Sequence, residues 1–187
     1  ANFNDTGLAV ASNALFRFGA GNFSLSCWVR MNSLSIFTTT ETFVGKGYVE
    51  ADGFEYLMGW APAFGFFFNH YPLGTEAGVK SAVVPGTLTP DVGRWYFLCA
   101  RRSPLSVEIS MENGPWATAA TSGGFATSAS RFSVGDRVSS AGVSQAPSRA
   151  AICNVGVWAR TLSDADRGDL YNGDLGLTYD FDYPVAV

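Results

Sequence analysis

Histidine is almost absent from this sequence. One residue, His70, serves the whole 187-residue chain. No centre that draws two or more histidine ligands from one chain can form, which excludes His-rich zinc and non-haem iron sites. A Ser-His-Asp triad stays arithmetically open, but no G-x-S-x-G elbow accompanies it. Cysteine is nearly as scarce: Cys27, Cys99 and Cys153 are odd in number, widely spaced and without a CxxC pair. That argues against a thiolate zinc site or a thioredoxin-type motif. All three sit in apolar strand-like runs, where cysteine behaves as a small buried hydrophobe. Buried free thiols are expected, with a Cys27–Cys99 bridge as the alternative.

Charge is also thin, at 15% of residues, with twelve basic against sixteen acidic side chains and a net charge of −4. Ten of the twelve cations are arginine, scattered singly apart from Arg101-Arg102. Nothing here draws the chain as a whole to nucleic acid or an anionic membrane. Long apolar runs are missing: the longest, Trp60 to Phe68, contains Pro62 and Gly65 and is too short to span a bilayer. The first residues, Ala1-Asn2-Phe3-Asn4-Asp5, lack a positive n-region and an apolar h-region, so a signal peptide is expected to be absent or already removed. Low-complexity tracts, repeats and linkers are lacking too. Residues 1–187 therefore read as one domain.

What is abundant is apolar sequence with a period of two. Hydrophobic residues make up 47% of the chain and aromatics 14%, enough for a sizeable core. From Phe23 to Met31 the odd positions are apolar, with Ser24, Ser26, Trp28 and Arg30 between them. That is the alternation of a half-buried strand. Leu105 to Glu112 repeats it; Asn113-Gly114 then signals a hairpin, with a return strand predicted over Trp116 to Thr121. Further strands are predicted over 8–11, 14–18, 42–44, 53–60, 64–69, 79–84, 94–101, 131–134 and 151–158. Phe64 to Phe68 and Trp95 to Ala100 are continuously apolar, as expected of strands covered on both faces. Turn residues such as Gly45, Gly47, Pro62, Pro72 and Pro90 separate the strands. Many short strands with almost no helical period mean an all-β antiparallel sandwich. One short helix stands out, with Ser163 as N-cap, a body over Ala165 to Tyr171 and Asn172-Gly173 as its stop.

Four blocks, in order, resemble the laminin G-like domains of the concanavalin A-like jelly-roll superfamily, a pentraxin-related sandwich. They are Asn22 to Arg30 with Val44-Gly45-Lys46-Gly47, Gly93 to Ala100 followed by Val107 to Gly114, Phe132 to Gly135, and Ala151 to Trp158 followed by Arg160 to Ser163 and Leu170-Tyr171. The resemblance implies a jelly-roll β-sandwich with one short helix near the C-terminus. It does not choose an activity, because the superfamily holds glucanases, lectins, adhesive modules and scaffold domains.

Glycoside hydrolysis needs two carboxylates held about 5–5.5 Å apart for retention, and the superfamily's glucanases carry an E-x-D-x-x-E strand. That spacing occurs once, in Glu50-Ala51-Asp52-Gly53-Phe54-Glu55, but the stretch reads as a turn entering a strand rather than as a catalytic strand. Glu50, Asp52 and Glu55 are interrupted by Gly53, and Glu108 and Glu112 read as the solvated face of a hairpin. No catalytic residue is assigned and the chain is not expected to be an enzyme. Calcium is the one cofactor that the resemblance raises, with Asp5, Asp52, Asp136 and Asn154 at predicted loop ends. Hard cations need several oxygens at once, no D-x-D-x-D-G loop exists, and an isolated Asp beside a turn usually bonds its own backbone. No metal ligand is assigned. For sugar stacking, the aromatics around Trp60 to Tyr71 and Trp116 are the candidates. Trp28, Trp95 and Trp158 are assigned to the core. Trp60, His70, Tyr71 and Trp116 are the predicted ligand-binding residues.

Two functions follow. The first is a lectin-like binding or adhesion module for glycan or another, protein, surface. The second is a structural or decoration subunit of a larger assembly such as a virion or surface layer. An extracellular or particle-surface setting is favoured for both. No nucleic acid or membrane span is expected, and a homo-oligomer could form through sheet edges or the C-terminal tail.

That tail alternates Tyr179, Phe181, Tyr183 and Val185 with Asp180, Asp182, Pro184 and Ala186. The pattern predicts an extended strand within 176–187, placed at an edge because Pro184 lacks a ladder N–H. It is expected beside Gly7 to Ala11 of its own or a neighbouring subunit. Deleting 178–187 should lower the melting temperature by several degrees or dissociate an oligomer. Unchanged melting and sedimentation would refute this.

Overall fold

The computed structural model describes residues 7–19, 21–32, 40–48, 53–76, 78–85, 89–121 and 127–175. Their strands are all antiparallel and form two sheets. The six-stranded sheet runs β1 (Leu8–Val10), β10 (Phe132–Val134), β3 (Glu41–Tyr48), β4 (Gly53–Ala61), β5 (Gly65–His70) and β6 (Lys80–Val83). The five-stranded sheet runs β11 (Ala151–Trp158), β2 (Phe23–Arg30), β7 (Trp95–Arg102), β8 (Ser106–Met111) and β9 (Ala117–Ala120). One helix, α1 (Asp164–Tyr171), follows the last strand. No helix among the described residues is long and apolar enough to cross a membrane. The tail strand predicted within 176–187 lies outside the described residues.

Alternation builds the core. Phe23, Leu25, Cys27 and Val29 of β2 and Tyr96, Leu98 and Ala100 of β7 meet Tyr56, Met58 and Trp60 of β4 and Phe66 and Phe68 of β5 between the sheets. Each large side chain so buried contributes on the order of 2 kcal/mol. In β4, β5 and β7 residues between them, such as Leu57, Phe67, Phe97 and Cys99, are apolar as well, so both outer faces also need cover. On the six-stranded sheet, Leu57 and Phe67 pack under Tyr71 and Val79 of the segment that returns from β5 to β6. On the five-stranded sheet, Trp28, Phe97 and Cys99 pack under Leu162 and the helix residues Leu170 and Tyr171. Trp95, Trp116 and Trp158 join this outer layer. The tryptophans assigned to the core thus pack beneath the helix rather than between the sheets.

The helix is held by caps and by side chains from the sheet. Ser163 and Asp166 close a capping box, which satisfies backbone N–H groups the helix cannot pair itself. Arg167 donates to Ser110 Oγ at 3.1 Å and to the Gly114 carbonyl at 2.7 Å. Ser24 Oγ donates to the Arg160 carbonyl and accepts from Leu162 N–H, both at 2.9 Å.

Three predicted elements differ. The strand expected over 14–18 is a 3-10 turn at Ala14–Phe16. Asn13 accepts the Leu15 N–H at 3.0 Å, a local bond that competes with strand pairing. Gly45 and Gly47 are not turns but lie inside β3. A Cβ at Gly45 would stand 2.8 Å from the Tyr56 carbonyl oxygen, so glycine is kept for close approach of β4. Asn113-Gly114 does lie in the β8–β9 connection, but the left-handed residue is Glu112, at φ +57°.

Cys27 faces the inter-sheet core and Cys99 the outer face of the same sheet, so their Cβ atoms point apart and no bridge can close. Burial pushes the Cys99 thiol up to about 12 and raises Cys27 well above its ordinary value. Cys153, on the edge strand β11, is only half-buried, a departure from the expectation of three buried thiols. Native protein should titrate about one equivalent of a thiol reagent, and denatured protein without reductant about three. A single thiol after denaturation would refute the free-thiol assignment.

Candidate functional site

Residues 135–150 leave β10 in one sheet and enter β11 in the other, so they must cross the end of the sandwich. Backbone bonds make this crossing rigid. Gly135, at φ +75°, donates to the Phe43 carbonyl at 2.8 Å, and Ser148 N–H donates to the Gly135 carbonyl at 2.7 Å. Asp136 Oδ1 accepts the N–H groups of Arg137 at 2.6 Å and Ala146 at 3.0 Å. Val138 bridges Ser144, and Gln145 N–H donates to the Arg137 carbonyl. Arg149 ties both sheets together: its N–H donates to Glu41 Oε2 at 2.9 Å, and its carbonyl accepts from Asn32 Nδ2 at 2.8 Å.

Between this crossing and the start of β3 lies an open cleft of about 490 Å³, within the usual size of ligand sites. Thr40, Glu41, Arg137, Gln145 and Arg149 line it, with Ala146 and Pro147 at one side. Glu41 and Asp136 are only 3% and 1% exposed, and their carboxylates are engaged with backbone donors. Arg137 donates through Nε to Thr42 Oγ1 at 3.1 Å. The arrangement offers guanidinium groups and an amide to a bound molecule. It offers no accessible pair of acids for hydrolysis.

The four predicted ligand-binding residues are not brought together and do not face this cleft. Trp60 is 4% exposed in the inter-sheet core, because β4 runs on to Ala61 and Trp60 shares its inward face with Tyr56 and Met58. Tyr71 stacks on Phe54 at 4.7 Å, receives a hydrogen bond from Asn69 at 3.1 Å and is buried, which raises its pKa. His70 ends β5 with its Nδ1 3.5 Å from Thr121 Oγ1 and is also buried. Trp116 lies under the guanidiniums of Arg101 and Arg167, at 4.0 and 4.7 Å from its ring, while its Nε1 donates to Asp164 at 2.6 Å. Its ring and its donor are spent on docking the helix.

Of the acids weighed for hydrolysis, Glu50 and Asp52 lie outside the described residues and the others are paired. Arg101 binds Glu108, Arg94 binds Glu112 at 3.0 Å, and Lys46 binds the buried Glu55 at 2.7 Å. For calcium, Asp5 and Asp52 lie outside the described residues. Asp136 is buried and bonded, and Asn154 sits on the β11 bulge. No group of three or more metal-ligating side chains gathers among the described residues, and two arginines stand at the rim. The residues present there do not fit a calcium ion. The sequence marks Asp136, which holds the crossing, but none of the residues that line the cleft. Arg137 and Arg149 are two of many isolated arginines, and no local pattern marks them.

Residues 3–166 match the family profile Laminin_G_3, described as the concanavalin A-like lectin/glucanases superfamily. A search of curated proteins gave no match. Among solved structures, domain 4 of AbnA, an extracellular GH43 arabinanase from Geobacillus stearothermophilus in complex with arabinotriose, is 14% identical with TM-score 0.57. The match covers 89% of this chain and 81% of that one. Trypanosoma rangeli sialidase in complex with sialic acid is 14% identical with TM-score 0.60, over 93% of this chain but 27% of that one. Domains LG4-5 of the mouse laminin α1 chain are 14% identical with TM-score 0.58, over 87% and 44%. The chain thus spans about a quarter of the sialidase and under half of the laminin fragment. At these identities the likeness is one of fold.

Burial, with Arg102 nearby, lowers the His70 pKa from 6.5 to about 4. The folded state therefore favours neutral imidazole. The stability this confers is complete above pH 6.5 and is lost as pH falls toward 4, by about 3 kcal/mol in all. Because the chain has one histidine, its ring resonances can be followed without assignment. They should titrate with a midpoint near 4, whereas a midpoint near 6.5 would show that His70 is solvated.

Proposed function

Because the chain belongs to the concanavalin A-like lectin/glucanase superfamily, we propose that it is a non-catalytic lectin-type module that holds a glycan in the cleft at the end of the sandwich. The observation that carries this reading is the cleft itself: about 490 Å³, lined by polar side chains on a hydrogen-bonded crossing between the sheets. A site on so rigid a support loses little entropy on binding. Sugar hydroxyls are matched by the Gln145 amide, the Thr40 hydroxyl and the two guanidiniums. Two proteins that share the fold carry sugars, arabinotriose and sialic acid, in their structures, which supports a carbohydrate as ligand.

The surroundings of the described acids support a non-catalytic reading. A retaining glycosidase needs two carboxyl groups facing one bond. Glu41 and Asp136 instead accept backbone N–H groups, and in the one stretch with E-x-D-x-x-E spacing, Glu50 to Glu55, Glu55 is buried and paired with Lys46. An extracellular or particle-surface setting belongs to the same reading.

Glycan-array binding, followed by calorimetry on the best ligand, tests it. Filling the cleft by Ala146→Trp should weaken binding about tenfold or more, roughly 1.4 kcal/mol, with melting unchanged. Ala146 contributes only its backbone to the bond with Asp136. Sugar release that is abolished by Glu41→Gln would overturn the non-catalytic reading. A glycan-silent protein sedimenting as a defined oligomer would overturn it in favour of an assembly subunit.

A further inference from the structure

Resting on the glycan-binding reading, we infer that the cleft selects an acidic sugar, and that Arg137 and Arg149 recognise its carboxylate or sulfate group. The one acid among the described lining residues, Glu41, is almost wholly buried, and Asp136 belongs to the crossing beside the cleft. Glu41 is buried on Arg149 N–H, and Asp136 is buried on the N–H groups of Arg137 and Ala146. Its cations are left facing the ligand space. Among the described residues neither Arg137 nor Arg149 forms an ion pair, whereas Arg94, Arg101 and Arg160 are each matched with a carboxylate. Arg137 Nε is fixed on Thr42 Oγ1, which sets the plane of the guanidinium and leaves its Nη groups to bond elsewhere.

Guanidinium has five donors and no acceptor. Two of them beside one cleft therefore need a ligand rich in acceptors. A planar carboxylate or a sulfate matches the fork with paired, charge-assisted bonds, which a neutral hydroxyl cannot do. The selectivity is local, because the chain as a whole carries −4 and would repel a polyanion elsewhere. Arginine stays charged at all ordinary pH, so recognition should not change between about pH 5 and 9.

The test uses calorimetry with sialyllactose and a sulfated heparin tetrasaccharide, against lactose and the desulfated tetrasaccharide as neutral counterparts. The first pair reads carboxylate, the second sulfate. At least one acidic probe should bind about tenfold or more tightly than its counterpart, and less tightly as salt rises from about 50 to about 500 mM. Arg137→Gln and Arg149→Gln should each remove most of that advantage, weakening the acidic probe by a larger factor than its neutral counterpart. Lys80→Gln, at the opposite end of the sheet, should bind as the parent does. Arg137→Gln loses the bond to Thr42, so its melting is checked. Arg149→Gln leaves the backbone bonds of Arg149 intact and keeps the test decisive. Neutral and acidic probes binding alike, or acidic binding that survives both substitutions, overturns this inference while the glycan-binding reading stands. No binding to any oligosaccharide overturns that reading itself.

Discussion

The structure depends on one constraint: β5 in one sheet and β7 in the other carry apolar side chains on both faces, so each sheet has two surfaces to cover instead of one. In an ordinary antiparallel sandwich the outer faces meet water. Here Phe66 and Phe68 turn to the core while Phe67 turns out, and Tyr96 and Leu98 turn in while Phe97 and Cys99 turn out. The return of the chain from Tyr71 to Val79 covers one outer face and α1 covers the other. A helix with so little apolar surface of its own could not dock on burial alone. Arg167, Asp164 and Trp116 supply the polar bonds that fix it in place.

That constraint also decides where binding can occur. Among the described residues most aromatics that could stack on a sugar are consumed by the three layers of packing, Phe64 being exposed at 40%. What remains for recognition is the rim, where polar segments cross between sheets and need not bury apolar surface. The crossing over 135–150 is stiffened by Asp136, which satisfies two backbone donors at once. A second buried charge works in the same way: Glu55, paired with Lys46, also accepts the Ser128 N–H at 2.8 Å. Such a pair adds little net stability against the cost of desolvating it, but it specifies which segment closes that part of the sheet.

Much of the architecture was legible in the residues. The alternation of β2 and β8, the unbroken apolar runs of β5 and β7, and the cap and stop signals of α1 all appear where local chemistry predicts. Errors fell where a non-local contact overrode a local signal. Gly45 looks like a turn, yet it is a strand residue that lets β4 approach. Trp60 looks like a rim residue beside Pro62, yet its parity with Tyr56 and Met58 sends it inward.

The sequence by itself determined the class of fold, because periodicity and turn chemistry act between neighbours along the chain. It also excluded any centre that draws two or more histidines from this chain, because a missing residue cannot be supplied by folding. Tertiary structure alone decided which arginines are spent and which are offered. Arg94, Arg101 and Arg160 found carboxylates, while Arg137 and Arg149 came together across the end of the sandwich. Arg137 stands in the crossing from one sheet and Arg149 at the entry to the other, so only the docking of the two sheets places them beside one cleft.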